Sequence, residues 1–300
     1  MRIDAHHHVW KLARGDYGWL EPTPQLSTIC RDFSLADLRP LLRDAGVEAT
    51  VLVQAAPTVA ETRYLLDVAR ESAGLVRGVV GWVDLAARDA KTVLTELAGD
   101  ALLKSVRPML QDLADPEWIV RPGVQPALTA LPQLGLRFDA LVKPRELKPL
   151  LKMLERHPDL AVVVDHCAKP DIATRAWQPW ADDLKAIAMH TPACCKLSGL
   201  VTEAGAGWNV DALQRYVEHV LRCFGAERVM WGSDWPVVTL AASYGDWVAA
   251  TDALLAGLSP AEQAAIRGGN AERFYALSPL PLGERLPPTR SGAAARERGG

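Results

Sequence analysis

Apolar residues along this chain fall into short β-branched runs that alternate with longer stretches whose apolar positions recur every three or four residues. Eight runs have strand character: 2–10, 49–55, 76–85, 102–110, 136–142, 160–168, 193–199 and 228–236. Between them the spacing predicts helices over 35–45, 61–73, 91–98, 147–157, 181–189, 211–224 and 247–255. The first of these opens after Ser34 and closes at Gly46, a cap at each end. Strand, helix and strand in this order predict parallel pairing with right-handed crossovers, and eight strands close a (β/α)8 barrel. The fold class is therefore α/β, a distorted TIM barrel filling residues 1–276 as one domain. Segment 11–33, with Gly15, Gly18, Pro22 and Pro24 around Tyr17 and Trp19, is too long for a simple connection and reads as a packed surface loop or a lid. Residues 277–300 are rich in Pro, Gly, Arg and Ala and read as a loosely attached tail.

Composition narrows the partners. A 300-residue chain with 49% hydrophobic residues can bury one large core. Its net charge of −3, with both signs interspersed, offers no stripe for nucleic acid or an anionic membrane, which leaves a small molecule as the expected partner; the oligomeric state is open, a homodimer being one option. No apolar stretch approaches the roughly 18 residues that a membrane span needs, and the chain enters its first strand without a charged-then-apolar leader. Five cysteines without a CxxC pattern read as reduced thiols, so a soluble, cytoplasmic protein is expected.

In a parallel barrel the C-terminal strand ends form the reactive face, so polar residues there carry most meaning. Side chains alternate along a strand, which points His6 and His8 one way and His7 the other. The sixth run is apolar until Asp165-His166, and the eighth until Ser233-Asp234. Three imidazoles and a carboxylate converging from strands one, six and eight suit one divalent ion, with zinc favoured by the N and O donors. Trp10, Trp82, Trp208 and Trp235 stand near strand ends, where indoles can lie against the apolar face of a sugar, and Gln54 and Asn209 can meet its hydroxyls.

These motifs together resemble the amidohydrolase superfamily, and within it the sugar-lactonase branch of L-fuconolactonase and L-rhamnonolactonase. The residues that carry the resemblance are His6 and His8, Val106-Arg107-Pro108, Asp165-His166, Lys196-Leu197-Ser198-Gly199, Gly232-Ser233-Asp234-Trp235-Pro236 and Gly269-Asn270-Ala271-Glu272-Arg273-Phe274-Tyr275. The resemblance implies a lactonase that opens an aldonolactone to its aldonic acid. His6, His8, His166 and Asp234 would be the metal-side residues, Asp234 also the general base, and His166 a further catalytic imidazole. Arg107 would bind a substrate oxygen.

Strand four offers Arg107 where many members carry a bridging Lys or Glu, and strand five offers no His. A binuclear site is therefore not expected, and catalysis without any metal is the alternative to one ion. The competing reaction on the same scaffold is metal-dependent decarboxylation of an aromatic or unsaturated acid. Asp139 reads as a substitute ligand or a rim hydrogen-bonder, and Lys196 and Ser198 as further site residues or supports of the interior. Asp4 and Asp165 read as acceptors that orient imidazoles, although strict alternation turns Asp165 away from His166. Glu61 is expected at a helix start, capping it at the surface.

Overall fold

The computed structural model describes residues 1–278. Eight parallel strands pair in sequence order, β1 (Arg2–His7), β2 (Val47–Val53), β3 (Val76–Gly81), β4 (Leu103–Val106), β5 (Arg137–Ala140), β6 (Val162–Val164), β7 (Cys194–Leu197) and β8 (Val229–Trp231). The ring closes beyond the end of β8, where Asp234 N–H donates to the His6 carbonyl at 2.8 Å and His8 N–H to that of Trp235 at 2.7 Å. Helices fill the crossovers: α1 (Leu35–Asp44), α2 (Val59–Arg70), α3 (Ala90–Leu97), α4 (Gln125–Gln133), α5 (Leu147–Arg156), α6 (Trp180–His190), α7 (Leu200–Ala204), α8 (Val210–Phe224), α9 (Tyr244–Leu254), α10 (Pro260–Ala264) and α11 (Asn270–Tyr275). Ser34 and Asp37 cap α1 reciprocally, as the sequence suggests.

Two apolar layers hold this architecture. The larger lies between strands and helices, while Ile3, Ala5, Val51, Val53, Val80, Val163 and Met230 fill the barrel interior and Tyr275 and Leu277 close its lower end. Leu277, the first residue of the expected tail, is thus packed, and residues 279–300 lie outside those described.

Each of the eight strands ends earlier than its apolar run. The excess falls at C-terminal ends: 8–10, 82–85, 107–110, 165–168 and 232–236 leave the sheet and become the rim of the reactive face. The alternation rule also fails once within β1. Ile3 and Ala5 point inward, yet so does His6, because the pairing with β2 is irregular between Asp4 and His7. Asp4 consequently faces outward, accepting from Tyr244 Oη at 3.0 Å and from Ser233 N–H at 2.8 Å. His7 also faces outward, 2.9 Å from Thr50 Oγ1.

Segment 11–33 is a packed loop. Trp10 and Phe33 exchange backbone hydrogen bonds at its base, both 3.0 Å, and Trp19 Nε1 donates to the Ala55 carbonyl at 2.7 Å. Glu61 is no surface cap: it is fully buried in α2 and accepts from Tyr17 Oη at 2.8 Å, fastening the loop to the barrel. Thr58 caps that helix instead.

Candidate active site

β1 and the turns after β6 and β8 bring four donor atoms together. His6 Nε2 and His8 Nε2 lie 3.3 Å apart, and Asp234 Oδ1 stands 3.7, 3.4 and 3.9 Å from Nε2 of His6, His8 and His166. Two unprotonated ring nitrogens at the first distance repel unless a proton or a cation lies between them. The backbone pays strain to reach this arrangement: His166, Cys167, Ala168 and Lys169 are four consecutive left-handed residues, with φ of 51, 53, 58 and 48°, and Asp234 has φ 58°. Two glycines make room. A Cβ on Gly232 would sit 2.7 Å from Cβ of His6, and one on Gly199 2.8 Å from Nδ1 of His166.

The far nitrogens of the rings are held in ways that leave Nε2 facing the site. His8 Nδ1 is 2.8 Å from the Val53 carbonyl, so it carries the proton it donates. His166 Nδ1 lies 2.9 Å from Ser198 Oγ. Burial lowers the His166 pKa to about 4, and burial followed by the charge of Lys196 lowers that of His6, so both rings are neutral at pH 7. Burial pushes the Asp234 carboxyl up, but the neighbouring imidazoles, His166 foremost, outweigh it and hold the group ionised.

Beneath these donors runs a buried polar network. Lys196 Nζ lies 2.5 Å from Asp139 Oδ2, 3.1 Å from Asp165 Oδ1 and 3.1 Å from His6 Nδ1. Asp139 also accepts from Ser105 Oγ and Tyr275 Oη, each at 2.6 Å, so it supports Lys196 and does not reach the donor set. Asp165 faces the site after all, 3.3 Å from Arg107 Nη1, because the left-handed run begins immediately after it. Burial raises its carboxyl pKa, but Lys196, His6 and Arg107 together carry it well below the usual range. Arg107 donates to the Gln54 carbonyl, Gln54 Nε2 returns a bond of 2.7 Å to the Arg107 carbonyl, and Arg107 Nε has no partner among the described residues.

A pocket of about 260 Å³ opens over this set, lined by His8, Arg107, His166 and Asp234 and walled by Trp19 and Leu26 of segment 11–33. Trp10 and Trp235 lie behind the wall, both buried and packed edge-on against Phe33. Trp208 donates to the Ala241 carbonyl away from the pocket, Asn209 caps α8, and Trp82 lines a neighbouring cavity. Trp19 takes the position expected of these residues. Only its place in an overlong loop could have pointed to it.

The donor set fits a divalent ion. The four separations given above lie between 3.3 and 3.9 Å, near the roughly 3.4 Å edge of a tetrahedron with bonds of about 2.1 Å. Lys196 and Arg107 balance Asp139 and Asp165, which leaves Asp234 without a fixed cation. His6, His8 and Asp234 form one possible ligand group, and His6, Asp165 and His166 another.

The sequence profile of a family described as amidohydrolase matches residues 3–277. The chain belongs to this family. Among amidohydrolase relatives, an L-fucono-1,5-lactonase of Burkholderia ambifaria is 46% identical over 92% of this chain and 96% of its own. An L-fucono-1,5-lactonase of Burkholderia multivorans is 35% identical over 95% and 99%. The crystal structure of an amidohydrolase from Burkholderia multivorans with bound zinc has 33% identity and a TM-score of 0.86, covering 93% of this chain and all of that one, with 100% coverage. A 5-carboxyvanillate decarboxylase of Sphingomonas paucimobilis, at 14% identity and a TM-score of 0.61, shares the fold alone. Within the described residues, no helix is long and apolar enough to cross a membrane.

Proposed function

We propose that the protein hydrolyses a sugar-derived lactone to the open aldonic acid. The observation that carries this reading is the convergence of three imidazoles and Asp234 at a pocket that Arg107 also lines. Support also comes from the 46% identical relative named L-fucono-1,5-lactonase.

His6, His8, His166 and Asp234 are the residues that would hold one divalent ion, zinc by its donor preference. Bound there, such an ion supplies Lewis acidity that eases loss of a water proton near neutral pH. Asp234 accepts that proton as the water oxygen adds to the lactone carbonyl carbon. The fork of Arg107 stabilises the negative charge gathering on the carbonyl oxygen. The ring C–O bond then breaks, the proton on Asp234 passes to the departing ring oxygen, and the new carboxylic acid releases its own proton to solvent. The five cysteines, all free, support a reducing cytoplasmic setting as part of the same reading.

Proton release, followed with a pH indicator on L-fucono-, L-rhamnono-, L-galactono- and D-galactonolactone, tests the proposal. Sustained acid production from one or two of the four is expected. Silence across such a panel, with carbon dioxide released from an aromatic acid, would replace lactone opening with decarboxylation.

A further inference from the structure

A second and larger cavity, about 640 Å³, adjoins the reaction pocket on the same face of the barrel. The two share Trp19, Met109 and Asp112, and the end of β4 passes from one to the other: Arg107 lines the first, Pro108 the second and Met109 both. At about 260 Å³ the reaction pocket has room for one small ring, below the ~300–1,000 Å³ of common ligand sites, whereas its neighbour falls within that range.

The lining of the larger cavity is selective. Three indoles, Trp19, Trp82 and Trp118, stand around it together with three carboxylates, Asp16, Asp84 and Asp112, and no Lys, Arg or His is among the lining residues. Asp16 is paired with Arg14, which leaves Asp84 and Asp112 to repel an anionic ligand. A purely apolar group would offer the carboxylates no donor. A neutral sugar ring meets both demands, its C–H face lying on an indole while its hydroxyls donate to carboxylate oxygens.

From this we infer that the cavity is a subsite for a neutral glycosyl residue attached to the lactone, so that the substrate class extends to aldobionolactones. The inference rests on the lactonase reading for its reaction, but its binding test does not. Polarity fixes the orientation. The carboxylate of the product forms beside Arg107, and the acidic lining keeps that end out of the neighbouring cavity.

Two measurements on the full chain test the subsite. The first is tryptophan fluorescence titrated with cellobiose, maltose and lactose, in the wild type and in Trp118→Ala. Saturable quenching by at least one disaccharide is expected, weakened about tenfold or more in the variant, as loss of one stacked ring implies. No response to any disaccharide would overturn the inference, as would saturation by tetramethylammonium or phenol in their place.

The second is kcat/KM for pairs of a lactone and its glycosylated counterpart, such as glucono- with cellobiono- and maltobionolactone. The glycosylated member of a hydrolysed pair is expected to be favoured in the wild type, with the preference falling about tenfold in Trp118→Ala while the simple lactone keeps its rate within about twofold. An unchanged ratio would overturn the inference. Disaccharide binding without turnover of any lactone would leave the subsite standing and remove the lactonase reading.

Discussion

Lys196 places its ammonium nitrogen 3.1 Å from Nδ1 of His6, joining the polar centre of the barrel to a ring that faces the reaction pocket. The contact bears on which nitrogen of His6 carries the proton. If Lys196 donates to Nδ1, the proton sits on Nε2. When Nδ1–H turns instead toward Asp165 Oδ1, 3.6 Å away, Nε2 keeps its lone pair, which faces His8 Nε2 at 3.3 Å and Arg107 Nη1 at 3.4 Å.

Replacing Lys196 by Met removes the cation between two fully buried carboxylates. Breaking such a pair costs about 3–5 kcal/mol. Urea unfolding of Lys196→Met should show a loss of that order, and adding Asp139→Asn should recover part of it. A single variant as stable as the wild type would mean that the ammonium is dispensable to the fold.

Asp234→Asn keeps the shape of the side chain and removes its ability to take a proton. Turnover should fall by about 10²–10⁴ while the far-ultraviolet circular dichroism stays unchanged. Wild-type turnover by the amide would take Asp234 out of the proton transfer.

Arg107→Lys retains a charge but loses the fork that reaches Gln54 and Asp165 together. We expect kcat/KM to drop by about 10²–10³ through kcat more than KM. A pure rise in KM would assign Arg107 to ground-state binding alone.

Dialysis against a chelator should lower both turnover and Tm, with zinc restoring both, because ligand binding to the folded chain stabilises it. Full activity in protein shown by elemental analysis to hold no metal would assign the chemistry to the imidazoles and Asp234 themselves.

Burial lifts the Glu61 carboxyl from 4.5 to about 7 despite the Tyr17 hydroxyl and the Arg14 guanidinium beside it. The folded value exceeds the unfolded one, so its stabilising contribution is complete below 4.5 and is lost as pH rises through about 7. Glu61→Gln does not titrate. The Tm of the wild type relative to this variant should therefore be higher near about pH 5 than near about pH 8.5. Equal differences at the two pH values would show that Glu61 ionises alike in the folded and unfolded chain.

Strand number, order and most helices were legible because apolar periodicity records burial directly. The motifs around His6, His8, His166 and Asp234 were legible because strand ends in a parallel barrel share one face. The helix Gln125–Gln133 was hidden by Pro126 and Pro132, which read as breakers although the first sits where a helix begins. Asp165 was misjudged because alternation presumes an extended chain, and the left-handed run beyond it obeys no such parity. Tyr275 lay inside a recognisable motif, but its bond to Asp139 spans 136 residues and leaves no trace in local pattern.

That last bond sets a condition on biosynthesis. Through Asp139 and Lys196, the Tyr275 hydroxyl connects the final helix to His6 in the first strand. A nascent chain that still holds α11 inside the ribosome can pair its early strands but lacks the donor that completes this network. Competence thus arrives only once α11 has emerged and the two extremities of the barrel meet.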